Sequence, residues 1–105
     1  MSDAKSKAVR EVKVANEQGL HARPVMRFVD LASKYQSEIT VANASRRGEK
    51  LDGKSAMQMM LLEATQGNTL RIEAVGADAL DAAGALAAFV EAGCPGDAPT
   101  VPEPP

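Results

Sequence analysis

The sequence has little of several residue types that carry chemistry in small proteins. It contains one cysteine, one histidine and no tryptophan, and aromatic residues make up 3% of its 105 residues. Small secreted domains usually hold several paired cysteines, so a lone Cys94 favours a reducing compartment and is expected to be an unreactive thiol in the C-terminal tail. The single histidine has no cysteine or acidic cluster beside it, so metal binding and triad catalysis lack partners. We therefore expect no metal and no cofactor.

Long apolar runs and an excess of basic charge are also missing. No stretch approaches the ~18 consecutive apolar residues of a membrane span, and the charged N-terminus lacks the apolar region of a signal peptide. The formal net charge of −2 argues against a nucleic-acid partner, which needs a local excess of lysine and arginine. These features predict a cytoplasmic protein without membrane or nucleic-acid partners. We also expect the protein to be a monomer.

The two ends of the chain differ in composition from the middle. Residues 1–7 are polar, and residues 94–105 hold five of the six prolines. We expect both segments to be disordered, because proline fixes φ and removes hydrogen-bond donors. A single folded domain over residues 8–93 is predicted between them.

Within that domain the hydrophobic period changes repeatedly. Apolar and polar residues alternate around residues 11–14, 38–41, 49–51 and 70–74, which predicts four strands. Helical spacing predicts helices over residues 23–35 and 55–64 and a last helix capped by Asp78. The expected buried stripe of this last helix is Leu80, Ala83, Leu86, Ala87 and Val90. The order β-α-β-β-α-β-α predicts an α+β fold, an open-faced β-sandwich with a four-stranded antiparallel sheet and three helices on one face.

The single histidine, His21, stands just before the first predicted helix. Pro24 suits the first turn of a helix, where its missing N–H costs no bond. The unpaired N–H groups of Ala22 and Arg23, together with the helix dipole, would stabilise an anion attached to the imidazole. The Arg23 guanidinium adds a planar cation suited to phosphate. Imidazole is a nucleophile at cellular pH, so phosphoryl transfer is one interpretation; an ordinary loop histidine is the other.

Three segments resemble those of a known family. Gly19-Leu20-His21-Ala22-Arg23-Pro24 is similar to the active-site signature of the HPr family, the histidine-containing phosphocarriers of the bacterial phosphotransferase system. Gly53-Lys54-Ser55-Ala56-Met57 resembles the regulatory serine segment of that family, and Gly76-Ala77-Asp78 resembles the start of its last helix. The resemblance extends over residues 9–92.

The resemblance implies a carrier, not an enzyme in its own right. Enzyme I, which takes phosphate from phosphoenolpyruvate, would phosphorylate His21 on Nδ1, and Arg23 would assist the transfer. The phosphoryl group would then pass to an enzyme IIA-type protein. Two roles remain open, one in sugar uptake and one in a regulatory branch that signals nitrogen or carbon status.

Ser55 precedes a methionine-rich run and has two interpretations. It suits a helix N-cap, and the resemblance implies phosphorylation by an HPr kinase/phosphorylase, which would weaken docking of enzyme I. The resemblance also implies a docking patch of Ala56, Met57 and Met60, although such methionines are often core residues. Ala56 is smaller than the common family residue and Gln58 replaces a common glycine, so the identity of the partners stays open.

A related element order occurs in RNA-binding domains and small acyl-phosphate hydrolases. RNA binding needs aromatic side chains on exposed strands for base stacking. Phe28, Tyr35 and Phe89 all fall on predicted helices, and no water-positioning group is evident near His21. Both alternatives are therefore disfavoured.

Overall fold

The structure, a computed structural model, describes residues 6–95. The strands are β1 (Ser6–Lys13), β2 (Glu38–Asn43), β3 (Leu51–Asp52) and β4 (Thr69–Gly76), and the helices are α1 (Ala22–Ala32), α2 (Ala56–Met59) and α3 (Ala79–Glu91). Short 3₁₀ turns cover Ala44–Arg46 and Met60–Leu62. The strands form one antiparallel sheet in the order β1-β4-β2-β3. The predicted open-faced α+β sandwich is confirmed.

Strand β4 lies inside the sheet and supplies the centre of its buried face. Leu70, Ile72 and Ala74 alternate along β4 and are fully buried. Val12 of β1 lies opposite Leu70, and Val41 of β2 lies opposite Ile72. Because side chains alternate between the two faces of a strand, this register directs the apolar residues of three strands towards the helices.

The helices cover that face with their apolar stripes. Helix α1 buries Pro24, Val25, Phe28 and Ala32. Helix α3 buries Ala79, Ala82, Ala83, Leu86 and Val90. The prediction for α3 was wrong at Leu80, whose side chain is 66% exposed, and Ala87 is only half-buried.

The opposite face of the sheet is polar and carries one buried carboxylate. Glu73 is 7% exposed, and its two carboxylate oxygens accept hydrogen bonds from Lys50 Nζ at 3.1 Å and Arg71 Nε at 3.3 Å. The Lys50 hydrogen bond is the main reason that the pKa of Glu73 lies below its usual value. Because both of its oxygens are paired, the Glu73 carboxylate is tolerated where it is buried on this face of the sheet.

The ends of the folded domain differ from the prediction. Strand β1 begins at Ser6, and Ser6 and Lys7 pair with Gly76 and Val75, so these two residues do not belong to a disordered N-terminus. Cys94 is 2% exposed and belongs to the hydrophobic core, so it does not lie in a mobile tail. Residues 1–5 and 96–105, where the remaining disorder was predicted, lie outside the described residues.

Two helices are shorter than their periodicity predicted. Helix α1 ends at Ala32, so Tyr35 lies in the following loop. Helix α2 has one α-helical turn and then tightens into the 3₁₀ turn, which ends at Glu63 in a left-handed conformation (φ 49°). The left-handed residue stops the helix before the predicted end at Ala64.

The predicted cap of α3 was also wrong in its mechanism. Asp78 is the residue before α3, but its side chain makes no capping hydrogen bond. Its carboxylate instead accepts hydrogen bonds from the backbone N–H groups of Gln36 and Ser37 and from the Ser37 hydroxyl. Asp78 therefore joins the α1–β2 loop to the start of α3.

Candidate functional site

The chain places His21 at the N-cap of α1, as predicted. Its backbone is extended (φ −90°, ψ −166°), and its carbonyl accepts the first helical hydrogen bond from Val25 N at 3.1 Å. The imidazole makes no capping hydrogen bond, and the residue is exposed. The imidazole therefore lies at the protein surface, where another molecule can reach it.

The loop before His21 is held tightly by its neighbours. Gly19 has a left-handed backbone (φ 74°), and a Cβ added there would lie 2.4 Å from the Ala64 carbonyl oxygen. The next residue, Leu20, is buried and donates its N–H to the same carbonyl at 3.0 Å. Only glycine satisfies both the backbone angle and the close approach, so this position fixes where His21 emerges.

The start of α1 presents unbalanced positive charge beside the imidazole. Ala22 and Arg23 occupy the first two helical positions, where N–H groups have no intrahelical acceptor. No acidic residue occupies the first turn, and Pro24 lies buried as the third helical residue. The exposed Arg23 side chain adds a full charge to the partial charge of the helix dipole. This arrangement favours an anion on the His21 ring.

A cavity of about 280 Å³ opens at this helix start. Its lining joins the His21 loop, the first two turns of α1 and the end of α3. The lining residues are Asn16, His21, Arg23, Pro24, Arg27, Gly93, Cys94 and Pro95. A small polar group can therefore lie against the imidazole with cationic side chains on one wall.

The far wall of the cavity was not predicted. Asn16 donates from Nδ2 to the Gly93 carbonyl at 2.9 Å, which ties the end of β1 to the end of α3. Gly93 (φ 90°) and Cys94 (φ 52°) both have left-handed backbones, and the Cys94 N–H bonds to the Phe89 carbonyl at 2.8 Å. Gly93 just after a predicted helix was the one sequence signal that the chain turns back here.

Cys94 contributes packing to this wall and has little thiolate character. Burial raises its pKa to about 11, against the smaller opposing effect of the Arg27 charge. The thiolate is the reactive form of cysteine, so the expectation of an unreactive thiol agrees with this environment although the predicted location was wrong.

The second predicted site, Ser55, is the N-cap of α2. Its Oγ accepts a hydrogen bond from Gln58 N at 3.2 Å, and the Gln58 side-chain oxygen accepts one from Asp52 N at 2.9 Å. Lys54 Nζ donates to the Tyr35 carbonyl at 2.7 Å, which anchors the segment to the loop after α1. Ser55 is half-buried in this network, and its Oγ is the acceptor for the Gln58 N–H.

Exposed apolar side chains cluster on α1 and on the α2 segment, which pack against each other. Met57 is 81% exposed and Met60 is 44% exposed, whereas Met59 is buried. Ala56 is half-buried against the core and offers little surface. The predicted patch did not include Met26 (51% exposed) or Leu61 (64% exposed), and Leu61 lies in the 3₁₀ turn that follows α2.

Two other kinds of site are absent from residues 6–95. These residues contain no group of three or more histidine, cysteine, aspartate or glutamate side chains that could hold a metal ion. None of their helices is long and apolar enough to cross a membrane.

Comparison with known proteins identifies the class. The family described as the PTS HPr component phosphorylation site matches residues 8–92. The chain is 37% identical over 84 residues to the phosphocarrier protein NPr of Proteus mirabilis, which covers 80% of this chain and 91% of that protein. The chain therefore belongs to the HPr family, the phosphocarriers of the phosphotransferase system.

Two further relatives agree with this assignment. The crystal structure of HPr from Thermoanaerobacter tengcongensis superposes with a TM-score of 0.75 at 36% identity, covering 82% of this chain and 93% of that one. A multiphosphoryl transfer protein of Escherichia coli O157:H7 is 40% identical over 83 residues, which is 79% of this chain but 22% of that protein. The domain described here thus also resembles a part of a larger phosphotransfer protein.

Proposed function

We propose that His21 accepts a phosphoryl group from enzyme I, which takes it from phosphoenolpyruvate, and passes it to an enzyme IIA-type protein. The observation that carries this proposal is the exposed imidazole at the N-cap of α1, which makes no capping hydrogen bond and lies beside Arg23 and a first turn without acidic residues. The protein acts as a carrier, and we expect it to do so as a cytoplasmic monomer.

The proposed transfer is a displacement at phosphorus. The Nδ1 lone pair of His21 forms the new N–P bond while the bond from phosphorus to the leaving atom of the donor breaks. In the outward step the N–P bond breaks, its electron pair returns to Nδ1, and a nucleophile of the acceptor protein binds the phosphoryl group. Arg23 and the N–H groups of Ala22 and Arg23 stabilise the negative charge of the transferred group.

Incubation with enzyme I and phosphoenolpyruvate tests the proposal. We expect the mass of the protein to increase by one phosphoryl group, in an acid-labile and base-stable linkage. The His21→Ala variant is the matched control and should gain no mass. Labelling of that variant, or no labelling of the unmodified protein, would contradict the assignment.

The acceptor decides between the sugar-uptake and regulatory roles. Met26 on α1 and Met57, Met60 and Leu61 on the α2 segment, which packs against α1, are exposed apolar side chains that a partner protein could cover. Phosphorylated protein offered to IIA-type proteins of transport systems and of regulatory systems should label one class faster. The faster class identifies the branch.

Ser55 is proposed as a regulatory phosphorylation site beside these apolar side chains. Its hydroxyl is half-buried as an N-cap, and Gln58 N is its hydrogen-bond donor. A phosphoryl group there gains from the helix N-terminus but adds charge next to Met57. An HPr kinase/phosphorylase with ATP should phosphorylate the protein and leave the Ser55→Ala variant unlabelled.

A further inference from the structure

Phosphorylation of His21 alone does not explain the hydrogen bonding of the Asn16 side chain. Its side chain lines the same cavity as His21 and Arg23. Nδ2 donates to the Gly93 carbonyl, but Oδ1 is buried and has no hydrogen-bond partner among the described residues. A buried acceptor without a partner destabilises a protein, so its presence beside a reactive group calls for a functional explanation.

The position of this oxygen is fixed at two points. The Asn16 backbone carbonyl accepts a hydrogen bond from Gly19 N at 2.9 Å, so Asn16 begins the tight turn that leads to His21. The bond from Nδ2 to Gly93 fixes the plane of the side-chain amide. Because the amide is planar, holding Nδ2 also holds Oδ1, and the oxygen stays in place without a partner of its own.

The chemistry of the cavity limits what this oxygen can bind. An amide oxygen and a phosphoryl oxygen are both acceptors, so Oδ1 cannot bind the phosphoryl group itself. The guanidinium of Arg23 is a donor, but its planar fork suits the phosphoryl oxygens. Arg27 and the imidazole of His21 are the other side chains with N–H donors that line the cavity, and the imidazole is the one that carries the proposed reaction. Once Nδ1 carries a phosphoryl group, Nε2 is the only ring nitrogen that can hold a proton.

We propose that Asn16 is a positioning residue whose Oδ1 accepts a hydrogen bond from Nε2–H of phosphorylated His21. This inference rests on the proposed phosphorylation of Nδ1. The bond holds the ring so that the phosphoryl group stays against the N–H groups at the start of α1. When the N–P bond breaks, its electron pair stays on Nδ1 and Nε2 keeps its proton. The ring therefore leaves as neutral imidazole, and no proton has to move during transfer.

Two substitutions separate this role from the anchoring of Gly93. Asn16→Asp keeps an acceptor oxygen but loses the amide that donates to Gly93, whereas Asn16→Ala loses both. Histidine labelled with ¹⁵N reports on His21 alone, because the chain has one histidine. Each protein is phosphorylated with enzyme I and phosphoenolpyruvate and examined by NMR for an Nε2–H proton that exchanges slowly with water.

We expect this proton signal in the unmodified phosphoprotein and in Asn16→Asp, and its loss in Asn16→Ala. Transfer from Asn16→Ala to an acceptor protein should be slower by about 10- to 100-fold, the rate equivalent of one hydrogen bond from a charged group. Thermal unfolding of both variants checks that the fold remains.

Two outcomes would overturn the inference. A signal retained in Asn16→Ala would mean that Nε2–H does not depend on Asn16. A signal lost equally in both variants would mean that Asn16 acts only by anchoring α3. Failure of the proposed function is recognised separately, because the unmodified protein would then gain no phosphoryl mass.

Discussion

The Asp78 carboxylate and Ser37 are joined by two hydrogen bonds, one from the Ser37 hydroxyl at 2.5 Å and one from its N–H at 2.9 Å. A third bond to the same carboxylate comes from Gln36 N at 2.8 Å. Ser37 is buried, so its donors depend on Asp78 once they are removed from water. The contact links positions 41 residues apart in the chain.

Replacement of Asp78 should therefore destabilise the protein more than its exposure suggests. Asp78→Ala leaves two backbone donors and one hydroxyl without their acceptor, and we expect a lower midpoint of thermal unfolding. Asp81→Ala is the matched control, because Asp81 is an exposed acid in the first turn of α3. Equal effects of the two substitutions would assign the stabilisation to the helix dipole.

The same contact predicts a pH dependence. The hydrogen bond from the Ser37 hydroxyl, followed by the bond from Gln36 N, holds the pKa of Asp78 below its usual value. A lowered pKa means that the stabilisation is complete above the unfolded value, about 3.9, and disappears as the pH falls through the folded value. The stability difference between the unmodified protein and Asp78→Ala should be constant near neutral pH and narrow below about pH 4. A difference independent of pH in denaturant titrations would contradict this explanation.

The Asp78 contact illustrates what the sequence pattern could and could not predict. An aspartate just before a helix is typical of an N-cap, which is a local feature. The donors that capture it lie in the α1–β2 loop, and no local pattern reports them. By contrast, the alternation of Leu70, Ile72 and Ala74 predicted β4 correctly, because burial on one face of a sheet imposes a period of two.

The residues of the candidate functional site were likewise predicted only in part. His21 and Arg23 were predicted from a continuous motif at a helix start, where proline marks the first turn. Asn16 and Cys94 reach the same cavity from the ends of β1 and α3, and their contribution depends on the pairing of distant segments. Cys94 comes just before a proline-rich segment. The composition of that segment led to the wrong prediction that Cys94 lies in the tail.

Arg23→Ala should slow phosphoryl transfer and leave the fold intact. The side chain is exposed, so its loss opens no cavity and should change stability by less than about 0.5 kcal/mol. Loss of a charged hydrogen-bond donor to the phosphoryl group should reduce the transfer rate by about 10- to 100-fold. The transfer rate of Arg23→Lys should lie between those of the unmodified protein and Arg23→Ala, since lysine keeps the charge but not the planar fork. Normal transfer with reduced thermal stability would reverse this assignment.

Ser55→Asp should stay folded but bind enzyme I more weakly. A carboxylate is a good N-cap acceptor, so the bond from Gln58 N has a replacement partner. A partner that covers Met57 and Met60 must then desolvate the new charge, which should weaken binding by about 5- to 100-fold. Titration of enzyme I against both proteins measures this change, and Ser55→Ala controls for loss of the hydroxyl. Equal affinities would mean that docking lies elsewhere.

Cys94 should resist alkylation in the folded protein. Its thiol is 2% exposed and burial raises its pKa to about 11, so little thiolate is present at pH 8. We expect a neutral alkylating reagent to react at least about tenfold more slowly than with the chain unfolded in urea. Similar rates would show that the turn at Gly93 and Cys94 opens readily.

The pairing of β1 with β4 has a consequence for synthesis of the protein. His21 follows β1, yet the partner of β1 ends at Gly76 and the far wall of the His21 cavity ends at Pro95. A nascent chain that has emerged only as far as α2 contains His21 but lacks both β4 and the far wall of the cavity. The site proposed to accept the phosphoryl group is therefore complete only when nearly the whole domain has left the ribosome, and we expect partner proteins to charge finished molecules in preference to unfinished ones.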